Sequence, residues 1–128
     1  MEQQHTLSRP TKIAGAGLML GVPATVRILP ADANTGIVFV RTDMPDAPEI
    51  AVSGTPEISG VGRSTTVGVG DATVRTVEHL MSALSGLGVD NARVEIDGPE
   101  IPAGDGSAAA FVEALTDARL QEQDAPRQ

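Results

Sequence analysis

Apolar residues recur along the middle of the chain at Val74, Val77, Leu80, Met81, Leu84 and Leu87, the i, i+3, i+4, i+7 spacing of one buried helical stripe. Gly86 and Gly88 supply a stop, so an amphipathic helix is predicted, with Arg75, Glu78, His79 and Ser82 on its polar face. Strands announce themselves by a period of two. Residues 23–30 set Ala24, Val26 and Ile28 against Thr25, Arg27 and Leu29, and residues 91–97 set Ala92, Val94 and Ile96 against Arg93 and Glu95. Residues 37–41 form a further apolar run, and the Asn34-Thr35-Gly36 turn before them predicts a hairpin with 23–30. Residues 5–14 read as a first strand interrupted or kinked at Pro10, with His5 on the surface. A second helix is predicted from Asp105 or Ser107, either of which can cap it, with Ala108, Phe111, Val112 and Leu115 as its stripe.

Between these elements the chain is punctuated by turns. Three glycines in Gly15-Ala16-Gly17-Leu18-Met19-Leu20-Gly21 make a tight turn rather than a phosphate cradle, because no Lys-Ser/Thr and no helix follow. Residues 43–48 are loop, 50–62 irregular or short strand, 63–67 β-prone, 68–71 a loop into the central helix, and 100–106 a loop into the second. Strands followed by two amphipathic helices, without regular βαβ alternation, predict an α+β fold. It is a two-layer sandwich: a largely antiparallel sheet with both helices side by side on one face, burying Leu80, Leu84, Phe111 and Leu115. Residues 1–120 form the single domain and 121–128 a frayed polar tail.

Composition narrows the function. With 128 residues the chain is long enough for a real core, but only Phe39 and Phe111 are large rings, so that core is packed from Val, Ile, Leu, Ala and Met. The absence of cysteine removes disulfides and thiolate metal sites together. A net charge of -8 argues against nucleic acid or an anionic membrane as partner. No apolar run approaches the roughly 20 residues of a transmembrane segment, and residues 1–10 lack the apolar core of a signal peptide, so a cytoplasmic location is expected.

One residue pair carries chemistry. Glu78 and His79 fall on either side of the polar face of the central helix, so a carboxylate and an imidazole leave one surface together. Imidazole is a common Zn²⁺ ligand, and a carboxylate beside it can take a proton from a coordinated water. A Glu-His pair on a solvated helix face is common, and alone it decides nothing.

Its setting decides more. Thr76-Val77-Glu78-His79-Leu80-Met81-Ser82-Ala83-Leu84, then Gly86-Leu87-Gly88-Val89-Asp90-Asn91-Ala92, Gly98-Pro99-Glu100-Ile101-Pro102 and Asp105-Gly106-Ser107-Ala108-Ala109, resembles the N-terminal half of UDP-3-O-acyl-N-acetylglucosamine deacetylase, the zinc amidohydrolase of lipid A synthesis. The resemblance runs nearly the full chain and covers about the first half of the family's usual length. It implies two domains of similar topology facing each other across a zinc site, with His79 one of three protein ligands to Zn²⁺ and Glu78 the general base. The Asp105-Gly106-Ser107 turn is read as structural. Met19 stands where the family usually has a histidine, and Ala103-Gly104 replaces two apolar residues.

With only His5 and His79 as histidines, a three-ligand zinc site is not expected from this chain alone. Two functions follow. Either the chain is the base-bearing half of a deacetylase of UDP-linked acylated N-acetylglucosamine, completed by a complementary C-terminal domain or by self-association, or it is a non-catalytic domain of the same fold that serves as a binding or interaction module.

Overall fold

A computed structural model of the chain describes residues 3–16, 21–52, 66–69, 72–75, 77–102 and 109–126. Five strands form the main sheet: β2 (Thr11–Ala16), β3 (Pro23–Pro30), β8 (Ala92–Ile96), β4 (Ile37–Arg41) and β5 (Glu49–Val52), in that spatial order. Every pairing in it is antiparallel except β4 with β8. Two small ribbons accompany it, β1 (Gln3–Leu7) with β9 (Leu120–Pro126) and β6 (Thr66–Val69) with β7 (Ala72–Arg75). Helices α1 (Glu78–Leu87) and α2 (Ala109–Ala118) complete an α+β sandwich.

The register explains the core. Val26 stands opposite Ile96 and Ile28 opposite Val94, while Phe39 stands opposite Val94 from the other side and Ile37 opposite Ala92. Side chains directly opposite one another share a face, so these residues form one apolar layer. That layer packs with Leu80, Leu84, Phe111 and Leu115 of the helices in a single buried cluster, as the two stripes predict. The far side of the sheet is ionic: Arg93 pairs with Glu95 at 3.0 Å and with Glu49 at 3.3 Å.

Several expectations are corrected. β3 and β4 do not form a hairpin, because β8 lies between them and pairs with both. The first strand is interrupted at Pro10, one of the two readings its proline allowed, and its halves lie in different sheets: β1 pairs with β9 and β2 with β3. Pro10, which has no N–H to give a ladder, sits at the break between them. Residues 68–71 do not lead straight into a helix, since Gly68 belongs to β6 of a hairpin. Its φ is 101°, and a Cβ there would collide with the Ala72 carbonyl oxygen, so only glycine fits. Val74 and Arg75 are therefore strand residues, and α1 starts later than its stripe suggests. In α2, Val112 is exposed rather than buried. Finally, the stretch expected to fray as a polar tail is for the most part strand, with Leu120 opposite Leu7 and Pro126 opposite Gln3.

α1 ends as its glycine predicts. Gly88 is left-handed at φ 81°, its N–H donates to Ser85 O at 3.1 Å, and the Val89 N–H donates to Leu84 O at 2.9 Å. This is the paired closure in which the residue beyond the glycine also packs on the last turn; Val89 and Leu84 are both buried. Among the described residues, no helix is long and apolar enough to cross a membrane.

Candidate active site

Glu78 is the first residue of α1 and His79 the second. Val77 and Leu80, on either side of them, are fully buried, whereas Glu78 and His79 are half-buried and Ser82, Ser85 and Gly86 beyond them are exposed. The inward pull of Val77, Leu80 and Leu84 thus fixes the helix's rotation and turns the carboxylate and the imidazole outward together. No side chain caps the start of the helix; its first bond runs from Met81 N–H to Val77 O at 2.8 Å. Free N–H groups at a helix start favour an anion there by about 0.3–1 kcal/mol. Glu78 occupies that place.

The strand that leads to the pair, β7, is held at the carboxyl ends of the two parallel strands. β4 ends at Arg41, opposite Ile96 at the end of β8, and Thr42 N–H donates to Ile96 O at 2.9 Å. Beyond β8 the chain reaches Pro99, whose carbonyl accepts the Arg75 N–H at 2.8 Å, and the Ile101 N–H donates to Arg75 O at 3.1 Å. Glu100, between those two contacts, is fully buried. From β4, Arg41 Nη1 donates to Thr73 O at 2.7 Å, while its Nε and Nη2 grip the two oxygens of Asp43 at 2.9 and 2.8 Å. Neither Arg41 nor Glu100 stands out from periodicity. What marks them in the sequence is a cation closing an apolar run and, for Glu100, its place in the Gly98-Pro99-Glu100-Ile101-Pro102 stretch that carries the family resemblance.

The Arg41 hydrogen bonds hold the Asp43 carboxyl below its usual value of 3.8. A group with a depressed pKa in the fold contributes stability above its unfolded pKa and loses it as pH falls through the folded one. Asp43→Asn should therefore destabilise the chain at neutral pH by less than about 1 kcal/mol, Asp43 being partly solvated, and by progressively less as pH falls below the ordinary carboxylate value. Urea unfolding of both proteins at neutral and acid pH checks this, and a difference undiminished in acid would refute it.

His5 is not a surface residue. It lies half-buried in β1, its N–H donates to Asp90 Oδ2 at 2.8 Å, its carbonyl accepts from Asp90 and Asn91, and its Nδ1 is buried without a hydrogen-bond partner. Those contacts are made just past the C-terminal end of α1, whereas His79 is at the N-terminal end. Ten residues of helix are about 15 Å long, so the two histidines are too far apart to share an ion. Among the described residues, no three of His, Cys, Asp or Glu gather where they could hold a metal. One outward imidazole with a carboxylate beside it fits part of a zinc site. Met19 and the Asp105-Gly106-Ser107 turn lie outside the described residues.

Comparison with known proteins now bears on this geometry. The family model described as UDP-3-O-acyl N-acetylglycosamine deacetylase matches residues 4–128. A UDP-3-O-acyl-N-acetylglucosamine deacetylase of Nostoc sp. is 52% identical over 118 residues, 92% of this chain and 42% of that protein. One of Bdellovibrio bacteriovorus is 44% identical over 97% of this chain and 41% of its own length. The bifunctional enzyme LpxC/FabZ of Chlorobaculum tepidum is 46% identical over 97% of this chain and 26% of its own. The chain thus spans less than half the length of these curated relatives. A family match over almost every residue, from β1 to β9, leaves one conclusion: the chain belongs to the UDP-3-O-acyl N-acetylglycosamine deacetylase family.

Proposed function

We propose that this chain is the base-bearing half of a zinc-dependent deacetylase that removes the acetyl group from UDP-3-O-acyl-N-acetylglucosamine in the cytoplasmic synthesis of lipid A. The observation that carries the reading is the outward placement of Glu78 and His79 at the start of a helix anchored in the core. A complementary domain, on the same polypeptide or another, supplies the remaining ligands and the substrate pocket. A zinc ion, when bound, supplies Lewis-acid polarisation of the amide and lowers the pKa of water to about 7.

This chain's residues then do two things. The His79 imidazole contributes one ligand nitrogen, held in place because α1 cannot rotate without exposing Val77 and Leu80. The Glu78 carboxylate accepts a proton from the attacking water as the water oxygen bonds to the acetamide carbon. When the carbon–nitrogen bond breaks, that proton leaves on the sugar amine, and the products are acetate and the free amine. Met19, in the place of the family's usual histidine, favours the second reading, a non-catalytic binding module.

The test separates the two. Purified alone, the chain should carry little zinc, since a catalytic site draws on three protein ligands, and should show no hydrolysis of the N-acetylglucosaminyl amide. Mixed with the complementary domain of a relative, it should acquire both. Metal content by mass spectrometry beside a deacetylation assay reads the result. A stable mixed complex that stays free of zinc and inactive would leave the binding-module reading in possession.

A further inference from the structure

Thr73 and Arg75 are two residues apart in β7, so both present their backbone groups to the strand's same edge. That edge faces away from β6, and it is satisfied from two sources. Arg75 is held by Pro99 and Ile101, and Thr73 by the side chain of Arg41. Arg41 is 6% exposed, and its guanidinium is oriented before it reaches β7, because Asp43 takes Nε and Nη2 in a two-point fork and leaves Nη1 to donate to the Thr73 carbonyl. Between Thr73 and the functional pair, Val74 and Val77 are fully buried plugs. The end of β7 and the start of α1 are thus both seated in the core.

We propose that Arg41 is a positioning residue for Glu78 and His79: oriented by Asp43, it fixes β7 against the end of the parallel strand pair and so sets where α1 begins. It does not touch the reacting atoms. Lysine cannot replace it, since a single ammonium on a flexible stem cannot hold the Asp43 carboxylate as a fork and aim a further donor at Thr73. The catalytic consequence rests on the deacetylase reading; the positional one does not.

Arg41→Lys and Asp43→Asn test it, in the full 128-residue chain. The chain has two histidines, so the imidazole proton resonances give one reporter on the helix that follows β7, His79, and one in β1, His5. Arg41→Lys should move the His79 signals and leave those of His5 in place. The amides of Arg75 and Ile101 should exchange roughly 10–100-fold faster, while Ile28 and Val94 stay within about threefold. Joined to the complementary domain, the variant should lose about 10–100-fold in kcat with KM nearly unchanged, the signature of misplaced catalytic groups. Asp43→Asn should show the same pattern more weakly. Exchange that rises uniformly, His79 signals that stay put, or an unchanged kcat would each overturn the proposal. If the wild-type assembly itself does not deacetylate, the deacetylase reading fails, and the resonances and exchange rates still decide the clamp.

Discussion

Glu78→Gln is expected to reduce deacetylation by the assembled enzyme by about a thousandfold while leaving most of its zinc bound. Loss of a general base costs on the order of 10²–10⁴ in rate, and glutamine keeps the shape of the side chain while removing its capacity to accept the proton. His79→Ala should lose zinc and turnover together, because two remaining protein ligands do not make a catalytic site. Both substitutions are clean in structural terms. The two side chains are half-buried and lie outside the Leu80–Leu84 stripe that faces the core. For Glu78→Gln the cost to folding includes the helix-end charge interaction, about 0.3–1 kcal/mol. Metal analysis, the assay and a thermal melt on each variant make the check. Turnover within about threefold of wild type for Glu78→Gln would remove the general-base assignment.

How far the fold was legible depends on what periodicity encodes. It encodes faces: Ala24, Val26 and Ile28, and Ala92, Val94 and Ile96, are buried as their alternation requires. It does not encode neighbours. The Asn34-Thr35-Gly36 signal is real, with Asn34 at φ 68° and Gly36 at φ 75°, yet the connection runs from Ala31 to Gly36 and is long enough to step across a gap. Skipping one strand means spanning about 9–10 Å, twice the strand spacing. Six residues reach that easily, so β8 enters between β3 and β4 from far along the chain and makes the one parallel pairing of the main sheet. Val74 misled for a related reason. It is buried with the helical stripe because β7 delivers the chain to the same core, and a buried position in phase with a helix need not be helical.

The candidate site divides in the same way. The outward rotation of Glu78 and His79 was legible because it depends only on where Val77, Leu80 and Leu84 point. The supports were not legible, because they are tertiary. Arg41 reaches Thr73, 32 residues away in sequence, and nothing local to either residue announces the other. Glu100 is buried by the loop that bridges to Arg75, a pairing made by residues on different elements.

The polar strand β9 had no apolar signature to read, and the way it is held leads to the second large effect, which should come from Asn91. This side chain is 1% exposed, and its amide makes three hydrogen bonds: Oδ1 accepts the Gly36 N–H at 2.8 Å, and Nδ2 uses both its hydrogens, donating to Gln4 Oε1 at 2.8 Å and to Gln123 Oε1 at 2.7 Å. Its carbonyl takes the Thr6 hydroxyl at 2.6 Å. The partners extend the web, since Gln4 Nε2 donates to Asn34 Oδ1 and to the Pro126 carbonyl, and Gln123 Nε2 donates to the Ala31 carbonyl. One amide thus joins β1, the turn before β4, the entrance of β8, and β9, a strand whose only buried residue is Ala125. Asn91→Ala would leave the Gly36 N–H and Gln123 Oε1 without their partner, while Gln4 Oε1 keeps the Asn34 N–H at 2.8 Å; each unsatisfied group costs about 1–3 kcal/mol. Partial relaxation brings the expected loss to about 3–4 kcal/mol, a fall of roughly 10–20 °C in the unfolding midpoint for a chain of this size. Asn91→Asp, nearly the same shape, should do no better, because it removes both N–H donors and sets a carboxylate against the two glutamine oxygens. The exposed Gln121→Ala serves as the comparison and should cost no more than about 0.5 kcal/mol. Exchange of the β9 amides should rise with Asn91→Ala more than exchange in β3. A destabilisation below about 1 kcal/mol would mean that β9 is held by its ladder with β1 alone, and that the amide web contributes no more than a typical single hydrogen bond.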